Sequence, residues 1–294
     1  MSQTDEWTIG RLLTWTTDYF REHGCDSPRL DAEVLLAEAR NCGRIELYTA
    51  FDEEADHYVR TAFRELVRRR SEGTPVAYLV GRREFYSLSF RVTPEVLIPR
   101  PETEYLVMGL LDLVKEGYPD GSVDVVDVGT GSGCVAVSVA NHLGNARLTA
   151  VDISPAALKI AQENIEAHDF ANRIDVVEGD LLAVFPAKPL FDFVVSNPPY
   201  VSEPEFEQLA SEVAEHEPRV ALVGGETGAE IIARLIPQAA ERLRPGGWLL
   251  MEISPMIEDR VIELLAADGR FAPAETINDQ AGLARIIKAQ RENS

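Results

Sequence analysis

"DVGTGSG", residues 127–133, joins an apolar run, Val123 to Val128, to a second one, Val135 to Leu143, that reads as a helix. Glycines in a strand-to-helix turn let the backbone approach a ligand closely, and the helix start behind them offers free N–H groups. A glycine loop alone is weak evidence, since any tight turn of this kind can use one. Its surroundings decide the fold. From Ser122 onward, short β-rich runs alternate with helical patterns. Leu148 to Val151 reads as a strand, and Pro155 to His168 as a helix with Leu158, Ala161 and Ile165 on one face. "IDVVEGD", "FDFVVSN", a helix over 228–243 and "GWLLMEI" follow. This rhythm predicts an α/β fold with a doubly wound, mostly parallel sheet. The closing stretch "RFAPAETINDQAGLARIIKA" predicts two more strands around a turn at Asn278 to Gly282, forming an antiparallel edge pair.

In such a sheet the ligand crevice lies at the carboxyl ends of the strands. The first strand ends in the loop Gly129, Thr130, Gly131, Ser132, Gly133. The second ends in Asp152, about 20 residues on, where a carboxylate can accept both hydroxyls of a ribose. Ser154 then caps the next helix, with Pro155 at its first position. The third strand is expected to end in Asp180, beside Leu181, at the height of an adenine amino group. A nucleoside cofactor is implied. The glycine spacing is Gly-x-Gly-x-Gly, not that of the dinucleotide fingerprint, which disfavours NAD.

The fourth strand ends in "VVSNPPYVSE", residues 194–203. Pro198 cannot donate to a sheet ladder, so the strand stops near Ser196. Asn197 and Pro198 each precede a proline and are held extended. The stiff loop offers the Asn197 amide, the Pro198 carbonyl and the Tyr200 ring, with Pro199 between them. Such a group suits a flat NH2: two acceptors take its hydrogens while the ring stacks on its plane. An amide or an exocyclic amine is the expected substrate. The plainer reading is a turn that merely ends a strand.

The rest of the chain sets bounds. At 294 residues, two units are expected. Trp7 to about Arg70 is helical in pattern, and "VAYLVGRREFYSLSFRVTPEVLI" at 76–98 reads as a linking hairpin. The expected domains are therefore 1–75, 76–98 and 99–294. "PRPETEYLVMGLLDLV" opens a helix, with prolines at its entry and acids in its first turn. The net charge of −21 repels phosphate backbones, which argues against a nucleic-acid partner. The basic cluster "RELVRRR" at 64–70 is expected to be a solvated face of a helix beginning near Asp52. No membrane-spanning run and no signal peptide are read, so a cytoplasmic protein, expected to be monomeric, is the assignment. Cys25, Cys42 and Cys134 fit neither a disulfide framework nor a metal spacing, and no metal is expected.

"DVGTGSG", "AVDISPAAL" and "SNPPY", in this order, resemble the class I S-adenosylmethionine-dependent methyltransferases that modify amino groups. "SPRLDAEVLLA", "PVAYLVGRREFYSLSFRVTPEVLIPRPETE" and "EHEPRVALVGGETG" narrow the resemblance to the peptide-chain release factor glutamine methyltransferases, over nearly the whole chain. One departure is "EISPMIEDRV", 252–261, where many relatives carry a glycine and a glutamine after the acid.

The resemblance implies S-adenosylmethionine as cofactor and S-adenosylhomocysteine as product. It implies a release factor as partner, held by the N-terminal helices, and the glutamine of its Gly-Gly-Gln loop as substrate. Gly129 to Gly133, Asp152, Asp180, Leu181 and Asn197 would hold the cofactor. Asn197, Pro198, Pro199 and Tyr200 would hold the amide, with Asn197, Pro198 and Tyr200 catalytic and the Tyr200 ring mattering more than its hydroxyl. An adenine-amino methyltransferase shares the tetrad, and a non-catalytic binding platform is a second alternative.

Overall fold

The computed structural model describes residues 6–293 and places them in two units, Met1–Gly81 with Ser211–His216, and Arg82–Ala210 with Glu217–Ser294. The start of the expected 1–75 domain and Ser294 therefore lie partly outside the described residues.

The first unit is helical: α1 Ile9–Glu22, α2 Pro28–Arg40, α3 Arg44–Thr49, α4 His57–Ser71 and α5 Val76–Val80. Leu13, Phe20, Leu35, Leu36 and Phe63 are fully or almost fully buried between them. Helix α4 begins at His57, not near Asp52. The Ala55 N–H bonds the Trp7 carbonyl and the Ile9 N–H bonds the Glu53 carbonyl, so residues 53–55 are tied to the entry of α1. Asp56 then caps α4 by accepting the Val59 N–H at 2.8 Å. The basic run is split. Arg68 is exposed between Glu65 and Glu72, whereas Arg70 is only 6 % exposed and pairs with Asp31 and Glu212. A fully solvated face is thus corrected for Arg70, because its place in α4 turns it inward. Residues 76–80 form α5 after Pro75, so the hairpin starts later than expected.

The second unit opens with that hairpin, β1 Arg82–Phe85 and β2 Leu88–Arg91, turned at Tyr86 and Ser87, both at positive φ. Helix α6 Glu104–Gly117 follows a 3₁₀ turn at Pro101–Thr103. Then come β3 Asp124–Val128, α7 Cys134–His142, β4 Arg147–Asp152, α8 Pro155–Ala167, β5 Ile174–Glu178 and β6 Phe191–Ser196. A short parallel pair, β7 Val201–Ser202 and β8 Val223–Gly225, flanks α9 Glu203–Phe206, α10 Ser211–Ala214 and α11 Arg219–Leu222, of which α10 falls in the first unit. The chain ends with α12 Glu230–Arg242, β9 Leu243–Glu252, α13 Glu258–Asp268, β10 Glu275–Asn278 and β11 Ala284–Gln290.

Seven strands form one sheet in the order β10-β11-β9-β6-β3-β4-β5. β9, β6, β3, β4 and β5 are parallel, and β10 and β11 are the antiparallel edge pair. Val126, Val194 and Leu249 are wholly buried, as expected of central parallel strands covered on both faces. α6, α7 and α8 contribute Leu106, Val137 and Ile165 to one core, and α12 and α13 contribute Ile232 and Val261 to another. Strand order reverses beside β3, so the carboxyl ends of β3 and β6 face one crevice. Among the described residues, no helix is long and apolar enough to cross a membrane.

Candidate active site

The glycine loop is built as a cradle. Gly129, Gly131 and Gly133 have φ of +73°, +54° and +79°, which side-chain-bearing residues rarely adopt. The Gly129 and Thr130 N–H groups both bond the Val151 carbonyl, at 2.8 and 2.9 Å, docking the loop on β4. Below it, Asp127 is 1 % exposed and accepts the Thr130 hydroxyl at 2.7 Å. Burial pushes its carboxyl up to about 6. Asn164, 2 % exposed, completes the support: its amide nitrogen donates to the Ser132 carbonyl at 2.8 Å and the Arg91 carbonyl at 3.0 Å, and its oxygen accepts the Arg91 N–H at 2.8 Å. One side chain of α8 thereby joins the hairpin to the loop.

Asp152 ends β4. Its oxygens accept the Gly131 N–H and the Ser154 N–H, each at 2.9 Å. A carboxylate has about four acceptor positions, so room remains for donors from a ligand. Burial raises its pKa and the backbone N–H groups oppose that. Asp180 is placed differently from the expectation. β5 ends at Glu178, and Asp180 lies two residues beyond it, its exposed side chain paired with Arg234. Leu181, next to it, has φ +54°. Gly129, Thr130, Gly131, Ser132, Asp152, Asp180 and Leu181 line one cavity of about 190 Å³ together with Asn197 and Pro199, whereas Gly133, Pro198 and Tyr200 do not line it.

Asn197 and Pro199 bring the tetrad to this cavity. The Ser196 hydroxyl donates to the Val128 carbonyl at 2.7 Å and fixes the end of β6 against β3. Asn197 donates from Nδ2 to the Thr103 hydroxyl at 3.1 Å, and both residues line the cavity. The Tyr200 hydroxyl donates at 3.0 Å to Glu252, which is 1 % exposed at the end of β9. Burial pushes the Glu252 carboxyl up to about 7, with the Thr103 and Tyr200 hydroxyls pulling the other way. Only Tyr200 completes a hydrogen bond to it, and Glu252 Oε2 has no partner among the described residues. Backbone packs on backbone outside the tetrad. A Cβ at Gly224 would strike the Pro199 carbonyl, and one at Gly228 would strike the Tyr200 carbonyl. Glu217 of "EHEPRVAL" accepts the Ile98 N–H and the Arg100 guanidinium, binding "LIPR" to it.

Sequence reading did not single out Thr103, Asp127, Asn164, Glu217 or Glu252. The available signals were acids inside or ending apolar strands, at 127 and 252, and a polar residue on the apolar face of α8, at 164.

The fit to a nucleoside-sulfonium ligand rests on the cradle and on Ser132. Its hydroxyl is 2 % exposed, lines the cavity and has no hydrogen-bond partner among the described residues. Two family models match the chain, the PrmC N-terminal domain over residues 11–81 and the methyltransferase small domain over residues 110–267. A release factor glutamine methyltransferase of Rhodopirellula baltica is 50% identical over 291 residues, covering 99% of this chain and 98% of its own.

The chain belongs to the release factor glutamine methyltransferase family.

A further member, from Koribacter versatilis, is 41% identical over 268 residues, covering 91% of this chain and 93% of its own. The 16S rRNA N2 G1207 methyltransferase of T. thermophilus, solved in complex with AdoMet and guanosine, shares the fold. It has a TM-score of 0.53 at 20% identity and covers 72% of this chain and 50% of its own. As a member of the release factor glutamine methyltransferase family, the protein is an S-adenosylmethionine-dependent methyltransferase.

Proposed function

We propose that the enzyme methylates the side-chain amide nitrogen of the glutamine in the Gly-Gly-Gln loop of a peptide-chain release factor. The observation that carries this reading is that Asn197, its Nδ2 bonded to the Thr103 hydroxyl, lines the same cavity as the glycine loop and Asp152. An amide nitrogen is a poor nucleophile, because its lone pair is delocalised into the carbonyl. It needs orientation more than a strong base. Asn197 Oδ1 and the Pro198 carbonyl accept its two N–H bonds, and the Tyr200 ring, anchored through its hydroxyl on Glu252, lies against the amide plane. Positioning of this kind is worth up to roughly 7–11 kcal/mol in the best intramolecular models.

When bound, S-adenosylmethionine supplies an electrophilic sulfonium methyl and leaves as S-adenosylhomocysteine. Asp152 holds the ribose hydroxyls, and the Gly129 to Gly133 loop admits the ligand close to the backbone. Asp180 and Leu181 form the adenine end. After transfer the methylated nitrogen releases a proton to solvent. The N-terminal helical unit holds the release factor, and the enzyme works as a monomer in the cytoplasm.

Adenine is the alternative amine. The charge of −21 opposes a nucleic-acid substrate. Incubation with methyl-labelled S-adenosylmethionine and either a release factor or a DNA duplex tests the reading. Label is expected on the release factor and to vanish when its Gly-Gly-Gln glutamine is replaced. Label on DNA alone overturns it.

A further inference from the structure

The first unit carries a groove with two unlike walls. On α1 and the residue leading into it, Trp7, Arg11, Trp15 and Tyr19 recur every four residues and form a ladder. The Arg11 guanidinium lies 4.6 Å from the Trp7 ring centroid, Trp7 meets Trp15 edge-on at 6.2 Å, and Trp15 stacks on Tyr19 at 5.1 Å with 12° between planes. On α4, Arg60, Arg64 and Arg68 recur at the same spacing. Trp15, Tyr19 and these three arginines line one cavity of about 520 Å³, and the buried Leu12, Phe63 and Val67 form its floor.

Three features mark it as a site and not a mere surface dent. Trp15 is 50% exposed, an unusual position for a tryptophan that has apolar neighbours at hand. Two buried polar atoms lining the groove, Thr16 Oγ1 and Arg60 Nε, have no hydrogen-bond partner among the described residues, and Thr16 is 0% exposed. Buried polar groups are nearly always paired, so two orphans in one groove point to a ligand that pairs them. Arg60 and Arg64 also make no ion pair among the described residues, in a chain of net charge −21 where acids are abundant.

We propose that this groove binds an extended peptide segment in which acidic residues alternate with aromatic or large aliphatic ones. Residues four apart on a helix are about 6 Å apart along the axis. Alternate side chains of an extended strand are about 6.6 Å apart and point to one side. Acids two positions apart therefore meet Arg60 and Arg64 in step, Arg68 being held by Glu65 and Glu72, while the intervening apolar side chains meet the Trp15 and Tyr19 wall. The unpaired Arg60 Nε, on the arginine wall, takes a carboxylate or a backbone carbonyl. Resting on the function proposed above, the segment belongs to the release factor, away from its methylated loop.

The groove holds two of the three tryptophans of the chain, Trp7 and Trp15, so intrinsic fluorescence reads it directly. The probe is a decapeptide alternating glutamate with phenylalanine and leucine, titrated into the full chain. Saturable quenching is expected, weakened at least fivefold by 0.5 M salt. Arg64→Glu, at an exposed position, should weaken binding at least tenfold. Arg69→Glu, also exposed but outside the groove, should leave it unchanged. Equal binding of a peptide with glutamine for glutamate, or no effect of Arg64→Glu, overturns the proposal. Tighter binding of a single-stranded oligouridylate overturns it in favour of nucleic acid.

In the methylation assay, Arg64→Glu and Trp15→Ala should raise KM for the intact release factor at least tenfold and leave kcat/KM for an isolated Gly-Gly-Gln peptide unchanged. An unchanged KM for the intact factor also overturns the proposal. Absence of any release-factor methylation by the native enzyme would instead defeat the function proposed above, and the decapeptide titration would still decide the groove.

Discussion

Asn197 depends on Thr103, a residue 94 positions earlier in the chain, for the orientation of its amide. Asn197→Ala should lower kcat on the order of a hundredfold or more while cofactor affinity holds, as when a positioned polar contact is removed from other active sites. Thr103→Val should do part of the same damage, and should add nothing in an Asn197→Ala background. Rate measurements on the double mutant check that coupling. Glu252 gives a second expectation. Its pKa rises from 4.5 to about 7 on folding, so between those values the folded chain binds the proton and the unfolded chain does not. This contribution to stability is fully present below pH 4.5 and is lost as pH rises through about 7. At roughly 1.4 kcal/mol per pH unit it amounts to about 3 kcal/mol. Glu252→Gln should therefore flatten the stability profile over this window, and denaturant melts at pH 5 and pH 8 compare the two. Asn197 and Pro199, which line the cavity, stood out in the sequence because the tetrad is contiguous and chemically unusual. The partners of Asn197 and Tyr200 did not, since the sequence does not tell that Thr103 meets the one and Glu252 the other.

At the level of elements, the seven sheet strands and α6, α7, α8 and α12 were legible to within a few residues, because buried parallel strands read as plain apolar runs, whereas the short elements between Val201 and Gly225 were not. Two misplacements have specific causes. α4 starts late because residues 53–55 bond back to the entry of α1, a contact across some fifty residues that periodicity does not register. Asp180 falls past the end of β5 because the strand register stops at Glu178 opposite Asp152. The joint between hairpin and glycine loop was equally invisible, resting on Asn164 alone. Asn164→Ala would leave the Arg91 N–H and the Arg91 and Ser132 carbonyls unpaired. The bond to the Ser132 carbonyl is buried and the two to Arg91 are partly so, and at about 1–3 kcal/mol for a buried polar group left unsatisfied a loss of about that size is expected. Cofactor affinity should fall with it, since the loop loses its support. Thermal melts with and without S-adenosylmethionine measure both.

For the whole molecule, the first unit includes residues 211–216, which lie far along the chain. Arg70 shows why. It is buried and bonds Asp31 at 2.8 Å and Glu212 at 2.7 Å, so the unit is closed by a residue from that distant segment. Arg70→Ala would strand Asp31, itself 7% exposed, as an uncompensated buried charge, at a cost of about 3–5 kcal/mol. A urea melt should show that loss, and Arg70→Ala with Asp31→Ala should recover much of it. A further consequence concerns inheritance. Since the chain passes between the units at 81, 210 and 216, the helical unit is encoded in two separate pieces. A chimera that takes residues 1–81 from a relative while keeping the native hexapeptide would pair a foreign pocket with the wrong plug. During divergence, positions 31, 70 and 212 are expected to change in concert, so recombination within the gene is tolerated only where both pieces travel together.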